Sequence, residues 1–246
     1  MALRCWGPPP HGITLHLQCW RRYDLLAQAV ASALRGSLVP RRLIVVDDGH
    51  RMPAHIRRRI EESCRVARVF HPDMLYEIRT PDTAPEGGHG IRLHNAALAE
   101  FGDVLFANDD IEFYPSTIAT MIEGVRGNPH GLLYATAERG GDWAGMYYVK
   151  AEILDIVGPL DEEFTGCGYC SDDDWRYRLE LAGRPAVLIP GLHYGHKTSS
   201  TLIAKSAAEQ AAHWEEFRRH REYYARKWGG PPHEETYSVP FGAGVA

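Results

Sequence analysis

Three clusters of carboxylates stand out along the 246-residue chain: Asp47-Asp48, Asn108-Asp109-Asp110 and Asp172-Asp173-Asp174. Grouped carboxylates can hold a hard divalent cation, which takes oxygen ligands and leaves the rest of its shell to substrate phosphates. They can also take the proton from an attacking hydroxyl. One adjacent pair is readily explained as a turn or helix cap, because Asp and Asn favour both positions. Three clusters in one chain weaken that explanation. A further polar segment, Gly191 to Thr198, carries His193 and His196 beside Lys197. An imidazole there would suit Mn²⁺ better than Mg²⁺, and His193 is placed ahead of His196 as the ligand.

These groups need elements to position them. Ile13 to Cys19 alternates like a strand, and Asp24 to Leu34 carries the apolar stripe of a helix. Leu43 to Val46 is a continuous apolar strand that ends in the first acidic pair, so the opening reads as a βαβ unit of a parallel sheet covered on both faces. His55 to Arg68 is expected to be a surface helix, followed by a third strand near Val66 to Phe70. Tyr76 to Gly90, rich in Pro, Gly, Thr and Asp, reads as a loop. Helices are expected at Gly90–Glu100, after Tyr114-Pro115-Ser116, at Ala151–Val157 and at Asp172–Leu181. Strands are expected at Asp103–Ala107, Leu132–Thr136, Met146–Val149 and Ala186–Ile189, with a glycine turn at Gly140-Gly141. Ala204 to Lys227 reads as a long amphipathic helix with Ala207, Ala211, Trp214, Phe217, Tyr224 and Trp228 on one side. The whole is an α/β fold with a mostly parallel central sheet flanked by helices and a C-terminal helical tail. In such sheets ligands gather beyond the carboxyl ends of the strands, where the first two clusters fall.

Composition narrows the function classes. Hydrophobic residues make up 44% and charged residues 24%, with 27 Lys+Arg against 32 Asp+Glu and a formal charge of −5. These are values of a globular domain with a core, which sets aside fibrous and disordered readings. No apolar run approaches the ~20 residues that span a bilayer. The proline-broken start, Met1 to Pro10, lacks the apolar centre of a signal peptide, so a cytoplasmic location is expected. Five cysteines are too few and too irregularly spaced for a disulfide framework, and Cys167-Gly-Tyr-Cys170 has neither a second ligand pair nor a redox context.

Taken in order, Ile13 to Arg22, Ser32 to Leu34, Ile44 to Gly49, Arg92 to Ala99, Gly102 to Asp110, Val157 to Phe164, Ser171 to Arg178, Ala182-Gly183 and the His193 segment resemble glycosyltransferase family 2, whose members share the GT-A fold. The resemblance covers roughly residues 12 to 200. It implies a GT-A domain over residues 1–203, with residues 204–246 forming a helix and tail packed on it. It also implies a metal-dependent transfer of a sugar from a nucleotide-diphosphate sugar to an acceptor hydroxyl, with inversion. Asp48 matches the acidic residue that binds the nucleotide base, with Gln18 on the same rim. Asp109 would sit near the ribose and Asp110 would hold Mn²⁺ or Mg²⁺ on the donor diphosphate, with His193 completing the metal site. Asp172 matches the general base, and Arg178 the arginine that follows it. Gly145, between Trp143 and Met146, matches the region that lines the donor sugar, and Trp175 would act on the acceptor side. Two departures are visible. Ser171 replaces the usual Glu, which leaves the base open between Asp172 and Asp173, and Trp20-Arg21 replaces the usual Asn.

The chemistry itself follows from charge. The leaving nucleoside diphosphate gains negative charge, which a cation and basic side chains would stabilise. Arg92, His94 and Lys197 are candidates. A carboxylate at a helix start, such as Asp172, is kept ionised by the helix dipole, leaving Asp173 or Asp174 to cap the helix or face Arg176 and Arg178. The competing readings are a nucleotidyltransferase of similar fold and a catalytically silent nucleotide- or carbohydrate-binding module. A dinucleotide dehydrogenase lacks its glycine fingerprint, because Gly87-Gly-His-Gly90 does not follow a strand. The tail from Tyr223 to Phe241 is similar to ends of phage-encoded family 2 proteins, which extends the acceptor candidates from glycans and small molecules to hydroxymethylated DNA bases. Arg51, Arg57, Arg58, Arg59, Arg65 and Arg68 would then be available for phosphates, against the alternative of a solvated helix face.

Overall fold

The computed structural model describes residues 12–49, 51–81, 90–137, 143–166, 168–196 and 206–242. The first half runs β1 (Thr14–Cys19), α1 (Tyr23–Ala33), β2 (Arg42–Asp47), α2 (Ala54–Phe70), β3 (Leu75–Arg79), α3 (Gly90–Phe101), β4 (Val104–Asn108) and β5 (Ile111–Glu112). The second half runs α4 (Thr117–Arg126), β6 (Leu132–Ala137), β7 (Met146–Val149), α5 (Glu152–Val157), α6 (Ser171–Leu181), β8 (Val187–His196) and α7 (Ala207–Trp228). A 3₁₀ turn, Trp143–Gly145, leads into β7, and a second, Pro240–Gly242, follows α7.

The strands form one sheet in the order β3-β2-β1-β4-β7-β6-β8-β5. β3, β2, β1 and β4 are parallel, as are β6 and β8, while β7 opposes both its neighbours and β5 opposes β8. Side-chain alternation along the strands splits the core in two. Leu15, Leu17, Leu105, Met146 and Tyr148 pack on the face shared with α1, α2 and α4. Phe106, Tyr147 and Val149 face the other way, against residues of α3, α5, α6 and α7.

Register carries the chemistry to one edge. Cys19 lies beside Asp47, and Gln18 beside both Val46 and Asn108, so the carboxyl ends of β1, β2 and β4 finish level. Asp48 and Asp109 follow directly. β7 runs back from this edge, with Met146 opposite Ala107 and Gly145 just beyond. Ile111 pairs with His196, which brings the end of β8 to the second acidic cluster.

Three expectations need correction. No strand forms at Val66 to Phe70, because α2 continues to Phe70 and leaves Val66, Val69 and Phe70 52%, 74% and 76% exposed. The third strand lies at Leu75–Arg79, within a stretch whose turn-forming residues masked the alternation of Tyr76 and Ile78 towards the core. β8 does not stop at Ile189 but runs through Pro190 and Gly191 to His196, with an irregular register against β6. On α7 the buried side is His213, His220, Tyr224, Lys227 and Trp228, whereas Trp214 is 51% exposed. That helix is well delimited, with a Ser206/Glu209 capping box at its start and Gly229 at φ 75° at its end. Gly140-Gly141 and Lys197 lie outside the described residues.

Candidate active site

The first acidic pair divides its work. Asp47 accepts hydrogen bonds from the Tyr23 hydroxyl (2.9 Å) and the Met52 amide (3.0 Å), which makes it a brace for the turn after β2. Asp48, equally buried, accepts from Gln18 Nε2 at 2.9 Å. Gln18 and Asp48 therefore form one polar rim on the α3 side of the sheet, with Gly90 of α3 close by: a Cβ at Gly90 would stand 3.6 Å from Gln18 Nε2.

The second cluster is held by a residue that the motifs did not single out for chemistry. Arg22 forms ion pairs with Asp109 Oδ1 and with Asp110 Oδ2, the latter at 2.6 Å. The left-handed backbone of Arg21, at φ 66°, turns the chain from β1 into α1 at this point. Burial pushes the Asp109 carboxyl up to about 6, against the opposing pull of Arg22 and of a hydrogen bond from the Cys19 thiol. Burial, and then the charge of Asp109, also push the Cys19 thiol well above its ordinary value, so it remains protonated as the donor. His196 Nε2 lies 3.2 Å from Asp110 Oδ1. His193 is on the other face of β8: Leu192 and Tyr194 are buried, His193 between them is exposed, and the His196 ring lies near that of Tyr194, 6.0 Å between centroids. Two residues an odd number apart on a strand point to opposite faces, so the two histidines do not form a common floor. The signal for Arg22 was present in the sequence, as a basic residue just past the strand that ends beside the acidic clusters.

The third cluster lies in the first turn of α6. Gly166, Gly168 and Cys170, at φ 70°, 70° and 64°, wind the chain tightly into that helix. Asp174 is its buried member and serves packing: it accepts from Trp228 Nε1 (2.8 Å) and Arg178 Nε (2.9 Å) and lies 2.6 Å from Lys227 Nζ. Arg178 also donates to the Val157 carbonyl, so it fastens α6 to α5. Asp173 faces Arg176 at 3.8 Å. Asp172 lies at the helix start near Tyr147 of β7. Burial raises the Tyr147 phenol, and the Asp172 carboxylate raises it further. Tyr147 is also 3.0 Å from His94 Nδ1.

Other candidates are placed differently from expectation. His94 is wedged against Phe106 and His16, and burial lowers its pKa to about 4, so it is a neutral imidazole and no counter-charge. Arg92 lies on the surface with Nε 3.2 Å from Glu162. Trp175 is fully buried and donates to the Gly158 carbonyl at 3.1 Å, and Met146 is also buried; both are core rather than acceptor or donor platforms. Gly145 does permit a close approach, but by Tyr194: a methyl group there would collide with the tyrosine hydroxyl. Three of the five arginines of α2 are engaged along the helix and with α1, as Arg57–Glu61, Arg65–Glu62 and Arg59–Asp24. Cys19, Cys64 and Cys170 are buried free thiols, and Cys167 lies outside the described residues. Among the described residues, no helix is long and apolar enough to cross a membrane.

No known family profile and no curated protein matches the sequence. Solved structures do match the fold. The mannosyltransferase PcManGT from Pyrobaculum calidifontis, in complex with GDP-Man and Mn²⁺, superposes with a TM-score of 0.60 at 15% identity, over 92% of this chain and 67% of that one. TarS 1-349 from S. aureus gives 0.55 at 13% identity, over 89% and 74%. A mycobacterial protein gives 0.54 at 15% identity, over 82% and 71%. The likeness shows that the chain has the GT-A-like fold of glycosyltransferases.

Proposed function

We propose that the chain is a glycosyltransferase that takes a nucleotide-diphosphate sugar as donor and passes the sugar to an acceptor hydroxyl. The observation that carries the reading is the strand register. It finishes β1, β2 and β4 level, and so gathers Gln18, Asp48, Asp109 and Asp110 at one carboxyl edge, with His196 arriving from β8. Neighbours of the same fold were solved with GDP-Man and Mn²⁺ or with UDP-GlcNAc, which supports a nucleotide-sugar donor.

The residues fit a divalent cation. Asp110 Oδ1 and His196 Nε2, 3.2 Å apart, have the spacing of adjacent ligands on one octahedral ion, whose bonds are about 2.0–2.2 Å. Among the described residues, no three His, Cys, Asp or Glu side chains cluster as a metal cage, so Asp110 and His196 would hold the ion with donor phosphate oxygens supplying the remaining ligands. When bound, Mn²⁺ or Mg²⁺ would supply Lewis-acid stabilisation of the departing diphosphate. The other roles fall to the chain itself. Asp48, oriented by Gln18, would accept a hydrogen bond from the base. Asp109, expected near the ribose, is 0% exposed and paired with Arg22, so it would hold that guanidinium in place rather than reach the donor. Asp172, ionised at the helix start, would take the proton of the acceptor hydroxyl as it attacks the anomeric carbon on the face opposite the diphosphate, with inversion. Asp172 stands in the first turn of α6 near Tyr147 and is taken as the base, with Asp173 3.8 Å from Arg176. With several α2 arginines paired to acids, the reading stops at a hydroxyl acceptor and does not extend to DNA.

A donor-hydrolysis screen over nucleotide sugars with Mn²⁺ or Mg²⁺ tests the proposal. Asp110→Ala should abolish metal-dependent hydrolysis, and Asp172→Asn should bind donor but lose transfer. Release of inorganic pyrophosphate instead of a nucleoside diphosphate, or full turnover by Asp110→Ala, would overturn it.

A further inference from the structure

The turn between β1 and α1 delivers a guanidinium into the carboxylate pair. The side chain of Arg22 is 18% exposed and those of Asp109 and Asp110 are 0% and 4%, so little water intervenes to screen these charges. The guanidinium divides between its partners, with Nη2 on Asp109 and Nη1 on Asp110 Oδ2. The other oxygen of Asp110, Oδ1, is the one turned towards His196. A single carboxylate is therefore shared between a fixed organic cation and the position that fits a divalent one.

Resting on the function proposed above, we infer that Arg22 is a positioning residue that makes metal binding conditional on the donor diphosphate. Among the described residues, two carboxylates and one guanidinium leave a single net negative charge at the site. A divalent cation arriving alone would overcompensate that charge and meet the guanidinium across the same carboxylate. A nucleoside diphosphate supplies the missing negative charge, which the metal and Arg22 can both face, so the nucleotide and the metal bind cooperatively. Without the guanidinium, the two carboxylates would attract the bare cation more strongly.

The test is Mn²⁺ binding, followed by electron paramagnetic resonance of the free ion, for the wild type, R22Q, R22K and D110A, each alone and with UDP or GDP. Saturation with the matching nucleotide should tighten Mn²⁺ binding to the wild type by at least about tenfold. R22Q should bind Mn²⁺ without nucleotide at least about tenfold tighter than wild type, and R22K, which keeps the charge, should stay close to wild type. R22Q binding no tighter than wild type, R22K behaving like R22Q, or wild type binding equally with and without nucleotide would each overturn the inference. D110A separates the two levels: if it loses Mn²⁺ in the presence of nucleotide while R22Q matches wild type, the metal site stands and the role of Arg22 falls. If D110A keeps full Mn²⁺ binding, the metal reading itself falls. Should R22Q fail to melt cooperatively, the wild-type comparison decides.

Discussion

Asp174→Ala is expected to be among the most destabilising single changes in the chain. The Asp174 side chain is 0% exposed and meets three basic or donor side chains from two helices: Arg178 through Nε at 2.9 Å and Nη2 at 2.8 Å, Trp228 through Nε1 at 2.8 Å, and Lys227 through Nζ at 2.6 Å. Removing it leaves Arg178, 16% exposed, with the neutral Val157 carbonyl, and the buried Lys227 with one of its two carboxylates, Asp161, 2.6 Å away. Breaking a buried pair by deleting one partner costs about 3–5 kcal/mol. At about 2–4 °C per kcal/mol for a chain of this length, the melting temperature should fall by roughly 6–20 °C. Thermal melts followed by far-UV circular dichroism and tryptophan fluorescence would measure it, the latter reporting on Trp228 at the end of α7. The accompanying control is Lys227→Met. In the Asp174→Ala background it removes a buried charge that has already lost one of its two carboxylates, so the double variant should be more stable than the sum of the two single effects. A fall of less than about 3 °C for Asp174→Ala, or strict additivity in the double variant, would refute the argument that this carboxylate fastens α7 to the helix carrying Asp172.

Other consequences follow from the same geometry. His94 should titrate near its depressed value of about 4 in a histidine-resolved NMR titration. Because the fold holds the neutral form, this group's contribution to stability is present above the unfolded value of about 6.5 and is lost as pH falls from there towards 4; a His94 that titrates near 6.5 would contradict the burial argument. Gly145→Ala should cost about 1–3 kcal/mol by overpacking against Tyr194. It should also weaken Mn²⁺ binding through the neighbouring His196, whereas a variant with wild-type melting would show that Tyr194 has room to move. Gln18→Leu removes the hydrogen bond to Asp48. It should raise donor KM by about tenfold with kcat little changed, and an unaltered KM would detach Gln18 from the donor rim.

Local patterning made much of this legible. The apolar stripe of α1, the continuous run of β2 and the strand-end aspartates are properties of neighbouring residues, and they appear where the periodicity locates them. Errors arose where local signals were ambiguous. Val66, Val69 and Phe70 look like a strand but end a helix with their side chains in solvent, because burial depends on what packs above them. Tyr76 to Arg79 looks like loop, yet pairs with β2, because a strand partner compensates for weak propensity.

The division of labour among the carboxylates belongs to tertiary structure. Asp47 and Asp48 are adjacent in sequence and both buried, but one braces a turn and the other joins Gln18. Asp174 is read from sequence as an acid that caps α6 or faces an arginine of that helix, and it does meet Arg178, but it becomes a packing residue through Trp228 and Lys227 of a helix that begins 33 positions later. Local sequence established that acids would gather at the ends of strands in an α/β sheet, since a strand, its turn and the following helix are written in consecutive residues. Which imidazole faces Asp110, and which cation already holds it, depended on strand order and register: Arg22 and Asp110 lie 88 positions apart, and meet because β1 and β4 are neighbours that finish level. Alternation along β8 then turns His196 inward and His193 outward, a choice that a list of residues cannot express, because it is made by the strand on the other side.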